Sequence, residues 1–122
     1  MKRTFLLTLL AGLAVAAAFA LPALASNTAS QAQTVRVNET SYRITLSARP
    51  KAGVVRFVIR NVSDDDHDFW VRGGGRTFRS RMLGEGGNAV LTARLRKGVR
   101  YQYWCGVGSH ASRGMRGSFV AR

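Results

Sequence analysis

From Thr34 onward the chain repeats one device: a short run in which apolar and polar residues alternate, closed by a turn that contains Gly or Pro. Val35 and Val37 point one way while Arg36 and Asn38 point the other, and Tyr42, Ile44 and Leu46 alternate with Arg43, Thr45 and Ser47. Val55, Phe57 and Ile59 share a face opposite Arg56 and Arg60; Ala89, Leu91, Ala93 and Leu95 form another such row. Val99, Tyr101, Tyr103 and Cys105 form a further row, and Gly117 to Ala121 reads as a short closing strand. A side-chain period of two is the signature of a half-buried strand, and the Ala48–Gly53 and Lys97–Gly98 stretches punctuate the runs as turns. No stretch shows the period of an amphipathic helix. Seven or eight short strands of this kind predict an all-β fold, an antiparallel sandwich with one wet face on each sheet. Gly73 to Gly87 is too rich in glycine for a long helix and shows no clear period; its Met82 reads as a core or rim residue.

Before this region lie two segments of different character. Lys2 and Arg3 precede an apolar run from Thr4 to Leu21, and Pro22 with Ala23-Leu24-Ala25 forms a small-residue cleavage site, so residues 1–25 read as a cleavable secretory signal peptide. An uncleaved anchor is the alternative, because the run approaches the length of a membrane span. Only one arginine is present, which favours the general secretory route over a twin-arginine one. Residues 26–33, SNTASQAQ, are small and polar and read as a flexible tether, leaving 34–122 as one domain. The expected location is periplasmic or secreted, with no membrane span once the leader is removed.

Charge narrows the partners. The whole chain carries +13, and removing Lys2 and Arg3 with the leader leaves +11. Four of the six acids are Asp64, Asp65, Asp66 and Asp68, packed around His67, so the rest of the surface is almost uniformly cationic. Such a surface favours fast, salt-sensitive encounters with acidic partners or polyanions. No basic block interleaved with aromatic residues appears, so specific nucleic-acid recognition is not expected.

The chemistry-bearing residues are few. An exported domain with a single cysteine makes no internal disulfide, so Cys105 is buried and inert, paired between chains, reactive, or a metal ligand. Its company favours the last: Cys105-x4-His110-x4-Met115 lies on a Gly-rich loop, and the remaining histidine, His67, follows the Val55–Ile59 strand. Thiolate, imidazole and thioether together suit a soft, redox-active ion, and copper is the metal that pairs a His2Cys set with a long axial thioether. A Cys/His hydrolase lacks an orienting third group and an oxyanion motif, so no enzyme is expected.

Asn61, His67-Asp68-Phe69 and Tyr101-x-Tyr103-x-Cys105-x4-His110-x3-Gly114-Met115-x-Gly117 resemble the plastocyanin/azurin family of small blue copper proteins, the cupredoxins, over roughly Val35 to the C-terminus. The resemblance implies a Greek-key sandwich whose last hairpin loop meets the His67 link at one end. It also implies one copper ion held by His67, Cys105, His110 and Met115, with the loop histidine as the electron's exit. Its functional implication is an exported one-electron carrier, monomeric, that meets redox partners transiently. Copper sequestration or delivery by the same ligands, and a basic adhesive module with an incidental metal site, are the competing expectations. Asp68 stands where many relatives carry Asn, which adds negative charge beside the site, and Gly73 to Gly87 follows the family's pattern only loosely.

Overall fold

The computed structural model describes residues 31–122; the expected leader, 1–25, and most of the expected tether lie outside the described residues. The described residues form eight strands and no helix. In chain order they are β1 (Gln33–Thr40), β2 (Arg43–Leu46), β3 (Gly53–Asn61), β4 (Trp70–Gly73), β5 (Arg76–Arg79), β6 (Asn88–Leu95), β7 (Arg100–Trp104) and β8 (Arg116–Val120). They make two four-stranded sheets, β2-β1-β3-β6 and β5-β4-β7-β8. Gln33, expected in the tether, is the first residue of β1.

The alternation read from the sequence is the alternation of burial. Val35, Val37, Val55, Phe57 and Ile59 are fully buried from the first sheet, and Val71, Tyr101 and Phe119 face them from the second. Phe57 meets Phe69 with ring centroids 5.4 Å apart, and Tyr101 stacks on Phe119 at 5.6 Å. Tyr101 is buried but keeps its hydroxyl satisfied, accepting the backbone N–H of Arg96 at 2.9 Å. Met82 lies at the rim, half exposed.

One pairing departs from the expected antiparallel pattern. β1 runs parallel to β3, with Val35 opposite Phe57 and Glu39 opposite Asn61, while every other strand pair is antiparallel. β2 turns back along the outer edge of β1, so β3 enters on β1's other side in the same direction as β1. Side-chain period is blind to this, because parallel and antiparallel neighbours alternate alike.

The unreadable stretch after Gly73 is ordered by two contacts. Gly74 and Gly75, at φ +57° and +75°, turn β4 into β5. Leu83, fully buried, then exchanges two backbone hydrogen bonds with His67: His67 N–H to Leu83 O at 2.9 Å and Leu83 N–H to His67 O at 2.7 Å. This bridge fastens the link between the sheets at the end where β7 also finishes.

Candidate metal centre

β7 runs inward through Tyr101 and Tyr103 and delivers Cys105 to the core one residue past its end, where it is 1% exposed. The loop from Gly106 to Gly114 is closed by backbone bonds: Cys105 N–H to Met115 O (3.0 Å), His110 N–H to Val107 O (3.0 Å) and Met115 N–H to His110 O (3.1 Å). Three sequence-predicted residues are thereby locked to one another through the main chain. Met115 is fully buried.

His67 arrives from the β3–β4 link, which Asn61 organises. The Asn61 amide donates to Asp65 O (2.7 Å) and Leu83 O (3.0 Å), and its oxygen accepts from Ser63 N–H (2.9 Å) and Ser63 Oγ (3.0 Å). Ser63 Oγ also lies 2.7 Å from His67 Nε2. The serine has one hydroxyl proton, and it goes to Asn61 Oδ1, an atom that only accepts. Ser63 Oγ therefore accepts from His67 Nε2–H, which leaves a lone pair on Nδ1. A ligating histidine is oriented in this way, through its other nitrogen.

That Nδ1 points into a cluster. His67 Nδ1 and His110 Nδ1 are 3.1 Å apart, and Cys105 Sγ is 3.7 Å from each. The point equidistant from three atoms so spaced lies about 2 Å from all of them, the length of an imidazole–metal bond. Donor identity and spacing thus fit a single metal ion, and among the described residues His67, Cys105 and His110 are the group of His, Cys and acidic side chains that meets such a spacing. Burial lowers the His67 pKa, aided by the neighbouring His110 and opposed by Asp65, Asp66 and Asp68, which favours the neutral imidazole that a metal binds. Burial also pushes the Cys105 thiol up, with backbone N–H groups of Asp68 and Val107 pulling it back and the Asp68 and Glu39 carboxyls adding to the rise. A bound cation reverses that balance and takes the sulfur as thiolate.

Asp68 ties the two ligand loops. Its Oδ1 accepts Gly106 N–H at 2.6 Å and its Oδ2 accepts the Trp70 indole N–H at 2.7 Å. Gly106 is required there, since a Cβ on it would sit 2.6 Å from Trp70 Nε1. Asp68→Asn keeps one acceptor but offers an N–H to at least one donor and removes a negative charge beside the thiolate. The expected result is a raised reduction potential, on the order of 60 mV for each 1.4 kcal/mol of lost Cu(II) stabilisation. An unchanged potential in a redox titration would contradict this.

Three neighbours of the site escaped the sequence reading. Ser63 was signalled only by the Asn61-Val62-Ser63 spacing of an Asx turn. Tyr42, the sole described non-glycine residue at positive φ (+60°), packs edge-on against His110 at 5.4 Å, and the Arg113 guanidinium stacks 4.6 Å over its ring and donates to its hydroxyl. Glu39 continues the inward row of Val35 and Val37; it is fully buried, and neither carboxyl oxygen has a hydrogen-bond partner.

No family model matches the sequence, and no curated protein matches it. Solved structures do. The dithionite-reduced auracyanin of the photosynthetic bacterium Roseiflexus castenholzii superposes with a TM-score of 0.63 at 15% identity, over 75% of this chain and 98% of that one. Auracyanin B gives 0.64 at 20% identity, over 75% and 89%. A multicopper oxidase from Pseudomonas thermotolerans gives 0.53 at 16% identity, with 75% of this chain covering 30% of that larger one. The chain has the cupredoxin fold, with a His–Cys–His donor cluster where the last hairpin loop meets the β3–β4 link.

Proposed function

We propose that the protein is an exported copper protein of the type 1 kind that carries single electrons, and that His67, Cys105, His110 and Met115 would hold the ion. The observation that supports this most is the donor triangle itself, two Nδ1 atoms and one sulfur, held from four directions by the main chain, Ser63, Asp68 and Leu83. Copper bound there supplies a one-electron couple between Cu(I) and Cu(II). The residues supply rigidity. Ser63 fixes one imidazole, the Val107 and Met115 bonds fix the backbone of His110 while Tyr42 packs edge-on against its ring, and the N–H groups of Asp68 and Val107 face the sulfur, so little of the scaffold needs to rearrange when charge changes. A delivery protein needs a site that opens; here His67 and Cys105 are at most 1% exposed.

The electron leaves without a proton, by outer-sphere transfer to a partner held briefly against the surface. In this reading the carrier is a monomer, and its strongly cationic surface favours encounters with acidic redox proteins. A redox titration of the copper-loaded protein is expected to be reversible with a Nernst slope of about 59 mV per decade, the value for one electron. An irreversible wave would contradict the carrier reading.

A further inference from the structure

The sheet β5-β4-β7-β8 presents an outward face that the copper-carrier reading leaves unused. Register puts Arg79, Trp70, Trp104 and Arg116 side by side across its four strands. The two indoles stack with centroids 5.7 Å apart at 20°. Arg79 lies 5.1 Å over Trp70 and Arg72 lies 5.3 Å over Trp104. A guanidinium held over an indole still has N–H groups to offer to carboxylates and has already lost part of its conformational freedom. Beside this row is a groove of about 560 Å³ lined by Arg72, Gln102, Trp104, Ala111, Arg116 and Ser118. It extends from the residue before Cys105 to the residue after His110.

Positive charge alone does not select this face. The outer face of the other sheet carries Arg36, Arg43, Arg56, Arg60 and Arg94, all exposed. The difference is the aromatic pair. Trp104 is bonded through the backbone to Cys105, and Trp70 shares the Asp68 carboxylate with Gly106. A polyanion has no use for that adjacency, whereas a redox protein does, because its own redox centre comes within a few side chains of the thiolate.

We infer that the Arg79–Trp70–Trp104–Arg116 face is a docking surface for the acidic patch of a redox protein, distinct from the tip of the His110 loop. The inference rests on the electron-carrier reading for its purpose but not for its test. In the step itself one electron passes from the partner's reduced centre to Cu(II), giving Cu(I) and the oxidised partner, and no bond or proton is exchanged.

The probe is the soluble haem domain of cytochrome b5, an acidic one-electron donor, added to the ¹⁵N-labelled protein as purified and kept reduced with ascorbate. The largest amide shifts are expected at Arg72, Gln102, Trp104, Arg116 and Ser118. Arg72→Glu with Arg116→Glu should weaken binding at least tenfold, whereas Arg56→Glu with Arg94→Glu, the same charge change on the opposite sheet, should weaken it less than threefold. Shifts centred on Gly108, Ser109 and Arg113, or equal losses from the two double variants, would overturn the proposal. So would binding of heparin to the same face with none of cytochrome b5. These readouts do not depend on copper: a missing copper–thiolate absorption band would count against the carrier reading alone, and misplaced shifts against the docking surface alone.

Discussion

The metal-free protein should lose stability steadily as pH rises from about 4.5 to about 8, and Glu39→Gln should flatten most of that decline. Burial, and secondarily the negative charge of Asp68, raises the Glu39 pKa from 4.5 to about 8 in the folded protein. Below the unfolded value both states hold the proton and the carboxyl costs no ionisation energy. Above it the unfolded chain releases the proton while the folded one retains it, so each pH unit costs the fold about 1.4 kcal/mol until the folded group also ionises. Over this window the loss is on the order of 3 to 5 kcal/mol, a large share of the 5 to 15 kcal/mol that holds a typical domain together. At roughly 4 to 8 °C per kcal/mol, the melting temperature should fall by more than about 10 °C. Glutamine still buries an unpartnered polar group, at about 1 to 3 kcal/mol. The variant should therefore be no more stable than the parent at pH 5 and clearly more stable at pH 8. Parallel melting curves across the window would refute the assignment.

One equivalent of copper should raise the melting temperature by about 15 °C or more, and Cys105→Ser should lose most of the gain. A ligand that binds only the folded state stabilises it by about 4 kcal/mol when present at a thousand times its dissociation constant. The donors lie in segments more than thirty residues apart, Asp68 and Leu83 fasten them only in the fold, and the unfolded chain offers no such triangle. Serine fits the sulfur's space but binds copper weakly. A shift of equal size in the Cys105→Ser protein, followed by scanning calorimetry, would place the copper elsewhere.

How much of this was legible before the structure depended on which interaction decided each feature. The shared faces of Phe57 with Val55 and Ile59, and of Cys105 with Tyr101, are legible because burial follows a period of two, which is written in the residues themselves. The convergence of His67, Cys105 and His110 was legible by residue type and chain order. The parallel β1–β3 pair was not, since strand partners are chosen by where β2 turns. Nor was β5 with the Leu83 bridge, because Gly73 to Gly87 is held by main-chain bonds that leave no side-chain pattern. Glu39 is the instructive miss: its inward position followed from the alternation of Val35 and Val37, and a charged residue there breaks the pattern that an apolar core requires. The Trp70–Trp104 stack depends on register, which pairs residues thirty-four apart and is invisible in either strand alone.

The claim on which the rest depends is that Cys105 sulfur binds copper together with the two histidines. The most direct measurement is the visible absorption spectrum of residues 26–122 after addition of one equivalent of Cu(II), with Cys105→Ser alongside. An intense blue or green band that reaches its maximum at one equivalent and is absent from the serine variant is the predicted result. A folded protein with a free thiol and no such band would contradict the copper centre.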